Sequence, residues 1–317
     1  MKRIAFVCLA VVLGLCFTTV RPSCAAEKVT VLLDWFVNPD HGPLYVALEN
    51  GYFARRDLDV SFQVPSNPND PPKLVAAGKA DLAVSYQPQH HIHVGEGLPL
   101  VRIATLVATP LNSLVTLAEG PIKTMSELKG KTVGYYSVGG FEDALLGAML
   151  RHHGLSLDDV KLVNVNFSLT PSLLTGKTDA VIGAYRNFEL NDLDLHGRPG
   201  RAFYVEEHGV PAYDELIIIA HRDRLSEPKF RRFVDALEEA VQFLVNHPDE
   251  CWELFKRGRK DVDNELNRRA WRDTLPRFAL RPGALDRARY LRFAAFLKEL
   301  GIIRNVPPIE TWAVELP

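Results

Sequence analysis

From Val29 onward, short β-branched apolar runs alternate with stretches whose apolar residues recur at helical spacing. This is the pattern of an α/β fold in which helices cover a parallel sheet. Strands are predicted at residues 29–35, 59–64, 81–86, 100–106, 111–117, 132–136, 160–166, 180–185, 202–205 and 216–220. Helices are predicted between them at 42–53, 72–77, 87–95, 125–129, 141–153, 171–174 and 188–195. After Ala220 the pattern changes to long amphipathic helices and no further strand is evident. In the stretch 227–245, Phe230, Phe233, Val234, Leu237, Val241 and Leu244 mark one buried face, and further helices follow near 248–256, 264–274 and 284–300.

An internal echo organises the first part of the chain. Leu74-Val75-Ala76-Ala77-Gly78-Lys79-Ala80-Asp81, running into Tyr86, resembles Leu173-Leu174-Thr175-Gly176-Lys177-Thr178-Asp179, running into Tyr185. Each copy reads as helix, glycine cap, buried strand and tyrosine, with five residues from Asp to Tyr in one and six in the other. Glycine accepts the left-handed backbone that ends a helix. The strand then delivers its tyrosine near the carboxyl edge, where ligands of open α/β sheets bind. Two such units predict two lobes, each offering a tyrosine to a shared cleft.

The amino terminus adds an address. Lys2 and Arg3 precede a nearly unbroken apolar stretch from Ile4 to Phe17 and a small-residue exit at Cys24-Ala25-Ala26, which reads as a cleavable export signal over 1–26. The apolar stretch is short for a membrane span of roughly 20 residues, and Arg21-Pro22-Ser23 before Cys24 fits a lipid-attachment site poorly. Removing 1–26 leaves Cys251 as the lone cysteine, so stability must come from a large core and not from an internal disulfide. Removing Lys2, Arg3 and Arg21 from 37 basic residues leaves 34 against 39 acidic ones, a mildly acidic balance that argues against nucleic acid as a partner. Arg222-Asp223-Arg224 and Arg231-Arg232 read as solvated helix faces.

Familiar catalytic anchors do not occur. There is no Gly-x-Ser-x-Gly elbow, His-Glu-x-x-His pair or Cys-x-x-Cys. Gly176-Lys177-Thr178 lacks the upstream glycine of a phosphate-binding loop, since Pro171 stands there. His90-His91-Ile92-His93 has no neighbouring carboxylate or cysteine set to complete a metal site, and the spacing favours a polar helix face near the cleft with His90 bordering the ligand. The expectation is therefore a binding protein without cofactor, metal or catalytic residues.

Residues suited to binding collect at predicted strand ends. Asp34 and Trp35 end the first strand, and Asn38 and His41 follow in a Pro-containing loop, where a half-exposed indole fits a site. Ser137-Val138-Gly139-Gly140-Phe141 follows a strand and opens a helix, so Gly139, Gly140 and Phe141 bring free backbone N–H groups to the cleft. Glu142 and Asp143 already satisfy that helix end, which favours a carbonyl or hydroxyl oxygen of a neutral ligand over a phosphate. Tyr185 and Glu189 stand one helical turn apart. With Trp35, Tyr86 and Asp34 they complete a box with aromatic walls and acidic ends.

These stretches resemble the NMT1/THI5-like family, whose bacterial members include pyrimidine-binding proteins of thiamin-precursor ABC transporters and whose fungal members are pyrimidine synthases. The resemblance is carried by Leu32-Leu33-Asp34-Trp35 with His41, Glu49-Asn50-Gly51-Tyr52-Phe53, Asn67-Pro68-Asn69-Asp70, Ala77-Gly78-Lys79-Ala80-Asp81, Leu128-Lys129-Gly130-Lys131-Thr132-Val133-Gly134-Tyr135 and Asp179-Ala180-Val181-Ile182-Gly183-Ala184-Tyr185. It spans about Val29 to Leu225 and is specific in combination. Gly-Tyr-Phe and Gly-Lys-x-Asp occur singly in binding proteins for sulfonates, nitrate and riboflavin as well.

The resemblance implies a two-lobed periplasmic binding protein fold (type II) with two hinge crossings. Lobe 1 would comprise 27–118 and 215–317, and lobe 2 would comprise 119–214. It implies aromatic rings around a pyrimidine and a carboxylate at its amino-substituted edge, carried over onto Trp35, Tyr86, Tyr185 and Glu189. It also implies a periplasmic monomer that delivers its ligand to an ABC permease. The synthase-like relatives have a lysine just after the Gly-Lys-x-Asp strand and a run of cysteines before the returning strand. Here Ser85-Tyr86 and Pro211-Ala212-Tyr213-Asp214-Glu215 occupy those regions, which puts the enzyme reading in doubt.

Overall fold

The computed structural model describes residues 25–136 and 141–317, Phe141 by its backbone alone. The expected export segment, apart from Ala25 and Ala26, lies outside the described residues, as do Gly139 and Gly140.

The described residues form ten strands: β1 (Glu27–Leu32), β2 (Leu58–Gln63), β3 (Leu82–Ser85), β4 (Leu100–Val107), β5 (Asn112–Leu117), β6 (Thr132–Tyr135), β7 (Lys161–Asn164), β8 (Ala180–Tyr185), β9 (Gly200–Tyr204) and β10 (Leu216–His221). They build two five-stranded sheets, ordered β2-β1-β3-β10-β4 and β7-β6-β8-β5-β9. Both sheets are mixed. In the first, β1 pairs in parallel with β2 and β3, while β10 runs antiparallel to β3 and β4. In the second, β6 pairs in parallel with β7 and β8, while β5 runs antiparallel to β8 and β9.

The departure from an all-parallel sheet has one cause. Each sheet is completed by a strand arriving from the other lobe, which must enter in the opposite sense. The chain thus crosses between Val107 and Asn112 and returns between Tyr204 and Leu216. This corrects the first predicted boundary, which kept 111–117 in lobe 1. The side-chain pattern of β5 is that of any buried strand, and only its pairing with β8 and β9 reveals its lobe.

The sequence echo has a bonding counterpart. Asp81 donates its backbone N–H to Thr30 O at 3.2 Å and accepts Thr30 N–H on Oδ2 at 2.8 Å. Asp179 repeats both bonds with Thr132, at 2.9 and 2.8 Å. In each lobe the carboxylate holds a backbone N–H of the neighbouring parallel strand, mid-strand at Thr30 and at the strand start at Thr132, and so fixes register.

Helices α1 (Gly42–Glu49), α2 (Pro71–Ala76), α3 (Gln87–Gly95), α4 (Phe141–His152), α5 (Leu169–Leu174) and α6 (Glu189–Leu195) cover the sheets. The carboxyl-terminal helices are α7 (Pro228–Asn246), α8 (Pro248–Lys256), α9 (Glu265–Thr274) and α10 (Arg287–Glu299). The six apolar residues predicted along α7 are all buried, and Phe233 stacks on Phe53 at 5.0 Å between centroids. Each such ring stabilises the fold by about 1.5–3 kcal/mol. Helix α7 packs on α1, whereas α9 touches both the Pro39–His41 turn of lobe 1 and α6 of lobe 2. Cys251 is free and buried. Among the described residues no helix is long and apolar enough to cross a membrane.

Candidate functional site

The carboxyl ends of β1 and β3 in one lobe face those of β6 and β8 in the other. Between them lies a cavity with about 360 Å³ of space, part of it open to solvent, lined by Asp34, Trp35, Asn38, Asp40, Tyr86, Tyr136, Leu169, Gly183, Tyr185, Phe188 and Glu189.

Asp34 anchors the lobe 1 wall. Its Oδ2 accepts the Tyr86 hydroxyl at 2.7 Å, and its Oδ1 lies 2.9 Å from His41 Nε2. The backbone N–H of Asn38 points at His41 Nδ1 at 3.3 Å, so Nδ1 accepts and Nε2–H donates to Asp34. His41 is fully buried behind Asp34 and supports the wall without lining the cavity. Asn38 caps the Pro39–His41 turn by accepting Asp40 N–H on Oδ1 at 2.9 Å. Trp35 is half-buried and meets the rings of Tyr136 and Phe167 edge-on, at centroid distances of 5.2 and 4.4 Å.

Lobe 2 supplies Tyr136, Gly183, Tyr185, Phe188 and Glu189. Counting from the matched pair Thr30 and Thr132, Asp34 and Tyr136 occupy equivalent positions at the ends of β1 and β6. Gly183 is the extra residue of a bulge in β8, where the pairing with β5 steps from Ser113↔Ala184 to Leu114↔Ile182. It takes φ +93°, and a Cβ there would lie 2.5 Å from the Tyr136 ring. This residue explains the six-residue Asp-to-Tyr interval in the second copy of the echo, and its lack of a side chain lets Tyr136 reach the cavity.

Electrostatics favour a ligand rich in N–H donors. Glu189 accepts Tyr185 N–H on Oε2 at 2.6 Å, yet burial pushes its carboxyl up to about 8, against the lowering effect of backbone N–H groups. Burial likewise pushes Asp40 up to about 6, although His41 and the bonds from Thr274 and Asn187 hold it down. Among the described residues the lining holds no lysine or arginine to offset Asp34, Asp40 and Glu189. Nor do the described residues include a group of three or more His, Cys, Asp or Glu able to hold a metal ion.

Behind the cavity, Tyr185 Oη donates to Glu215 Oε1 at 3.3 Å. Glu215 stands at the returning crossover and accepts Leu111 N–H and Asn112 N–H on Oε2, at 2.6 and 2.8 Å, so one buried carboxyl ties both crossovers together. Burial pushes it up to about 7, and those N–H bonds oppose the rise.

The structure brings Asp34, Trp35, Asn38, Tyr86, Tyr185 and Glu189 to one cavity and places His41 directly behind it. His90 does not border it. Helix α3 is buried against the carboxyl-terminal segment, and His90 Nε2 lies 2.7 Å from Trp312 O. Phe141 opens α4 as expected, with its side chain outside the described residues. Asp40, Tyr136, Leu169, Gly183 and Phe188 were not singled out from the sequence. The sequence carried no signal for Tyr136, whose equivalence to Asp34 emerges only from the Asp81–Thr30 and Asp179–Thr132 bonds.

Residues 38–251 match the family described as NMT1/THI5 like. The chain is 50% identical over 306 residues to a Haemophilus influenzae protein named for thiamine biosynthesis, covering 96% of each. It is 36% identical over 244 residues to a formylaminopyrimidine-binding protein of Halalkalibacterium halodurans, covering 76% of this chain and 74% of that one. The alkanesulfonate-binding protein of Xanthomonas axonopodis pv. citri shares the fold at a TM-score of 0.70 and 14% identity, covering 93% of this chain and 98% of that one. A Candida albicans protein described as having the generic periplasmic binding protein fold also superposes at a TM-score of 0.70, with 18% identity, covering 92% of this chain and 96% of that one. The architecture is thus the two-lobed type II periplasmic binding protein fold, and the chain belongs to the NMT1/THI5-like family.

Proposed function

We propose that this chain is the periplasmic solute-binding component of an ABC importer and that its cavity takes an aminopyrimidine precursor of thiamin, of the hydroxymethylpyrimidine or formylaminopyrimidine type. The carrying observation is the convergence of Trp35, Tyr86, Tyr136 and Tyr185 with the Glu189 carboxyl on one cavity between two lobes. In this reading residues 1–26 direct export, the lobes close on the ligand as a monomer, and the closed form presents it to a membrane permease. The name of the Halalkalibacterium relative points to the same ligand class.

The chemistry fits a flat, weakly basic ring. Stacking on aromatic side chains contributes about 1–3 kcal/mol per base. A charge-assisted pair of N–H bonds from the ring nitrogen and exocyclic amine to Glu189 adds about 1.5–3 kcal/mol. After association entropy is offset, that supports roughly micromolar binding or tighter. The fungal relatives named as pyrimidine phosphate synthases make a phosphorylated product, but a phosphate would face carboxyl groups here with no basic residue in the described lining.

Calorimetric titration with an aminopyrimidine, its phosphate ester, riboflavin and an alkanesulfonate tests the proposal. The unphosphorylated aminopyrimidine should bind and be recovered unchanged. Heat with the sulfonate alone, or turnover of the pyrimidine, would overturn it.

A further inference from the structure

The last turn of α9 and the Pro39–His41 turn meet at the cleft, on either side of Asn187. Asn187 is 1% exposed, and its Nδ2 donates to Asp40 Oδ1 at 2.6 Å and to Thr274 Oγ1 at 2.7 Å. The fully buried Thr274 hydroxyl has Asp40 Oδ1 at 3.0 Å and Ala270 O at 2.7 Å as acceptors for its single proton. One turn further along, Asn191 Nδ2 donates to Asp273 Oδ2 at 2.7 Å. Successive residues at the end of α9 therefore each hold one asparagine, four residues apart, at the start of α6.

Three parts of the chain meet in this cluster. Asp40 belongs to lobe 1 and lines the cavity, whereas Asn187 belongs to lobe 2 and is followed directly by the lining residues Phe188 and Glu189. Thr274 lies beyond residues 38–251, the stretch that matches the family. Asn187 and Thr274 themselves do not line the cavity. Parting the lobes must break the bonds to Asn187, and shifting Asn187 must shift Glu189.

We infer that Asp40, Asn187 and Thr274 form an interlobe clasp in which Asn187 and Thr274 are positioning residues, seating Phe188 and Glu189 against the ligand and governing its release. The inference rests on the reading of this cavity as the ligand site. It assigns the carboxyl-terminal helix α9 a part in binding, although that helix contributes no atom to the lining.

The test pairs Thr274→Val, which keeps the shape and removes the hydroxyl, with Thr274→Ser, which keeps the hydroxyl, and adds Asn187→Ala. Stopped-flow tryptophan fluorescence with an aminopyrimidine gives association and dissociation rates, and small-angle scattering gives the radius of gyration of the ligand-free chain. Thr274→Val and Asn187→Ala should raise the dissociation rate roughly ten-fold, the scale of losing one or two hydrogen bonds. Association should change by less than about two-fold. Thr274→Ser should behave as wild type, and Thr274→Val should enlarge the ligand-free radius. An unchanged dissociation rate in Thr274→Val, even with a lowered melting temperature, overturns the clasp, as does an equal rise in Thr274→Ser. Should the wild type bind no aminopyrimidine, the ligand assignment fails separately, and an unchanged radius in Thr274→Val then overturns the clasp.

Discussion

Replacing Gly183 with alanine tests whether a backbone bulge shapes the cavity. Gly183 holds φ +93°, and the new Cβ would lie 2.5 Å from both Cδ1 and Cε1 of Tyr136. The backbone cannot swing aside freely, because Gly183 N–H donates to Asn112 Oδ1 at 3.0 Å next to the first crossover. Holding a non-glycine residue in that conformation costs about 1–3 kcal/mol. Overpacking adds about 1–3 kcal/mol, so Gly183→Ala should destabilise the chain by roughly 2–6 kcal/mol. Tyr136 is the neighbour able to yield, and its movement removes a ring from the cavity, which should weaken aminopyrimidine binding at least about ten-fold. Gly176→Ala is the control, since Gly176 has φ +70° but nothing within 4 Å of a built Cβ. It should cost only the backbone part, about 1–2 kcal/mol, and leave affinity alone. Urea unfolding and calorimetric titration read both effects. If Gly183→Ala unfolds at the same midpoint as Gly176→Ala and binds like wild type, the bulge does not seat Tyr136 and the reasoning fails.

Glu189, pushed up to about 8, carries its proton at pH 7, and passing it to the ring nitrogen forms the ion pair without net exchange. Heats of aminopyrimidine binding at pH 7 should therefore not depend on the buffer's ionisation enthalpy, whereas above pH 8 binding takes up a proton and weakens. Glu189→Gln should lower affinity roughly ten-fold or more, and an unchanged value removes Glu189 from the site. Burial holds His90 down to about 4, below its ordinary 6.5, so its contribution to stability is present above pH 6.5 and is lost as pH falls towards 4. The loss is on the order of 3 kcal/mol. Asp40, Glu189 and Glu215 are shifted upward and act in the opposite sense, their contribution being full below about pH 4 and fading as pH rises to about 6 for Asp40, 7 for Glu215 and 8 for Glu189. Comparing urea stability across pH for His90→Gln and wild type isolates the histidine, and parallel acid limbs would contradict this account. Burial pushes the Cys251 thiol up to about 12, so a thiol reagent should label it only in denaturant.

The strands and helices were legible because apolar periodicity survives in nearly every element, and the Gly-Lys-x-Asp echo marked two equivalent lobes. Pairing was less legible. The run 111–117 looks like any buried strand, and its membership of the second sheet depends on β8 and β9, which lie far along the chain. For the site, residues at strand ends could be read directly, which is why Asp34, Trp35, Tyr86 and Tyr185 stood out. Asp40 and Tyr136 were hidden for different reasons. Asp40 looks like a turn residue until Asn187 and Thr274 close over it, and Tyr136 needs the space left by Gly183. His90 misled because a polar triplet on a short helix suggests exposure, whereas the carboxyl-terminal segment covers α3 and Trp312 O engages the imidazole.

The Asp34 bonds carry a further consequence for how a guest is received. With one oxygen committed to Tyr86 and the other to His41, the carboxylate works as a strut that fixes the angle of the phenol ring before anything lands on it. That half of the mould is already set, while in the proposed closure the opposite half would travel with its lobe. If the lobes close as proposed, docking would run in two beats, touchdown on a rigid floor and then descent of the ceiling, and substitutions in the ceiling should alter how long a guest stays more than how quickly it arrives.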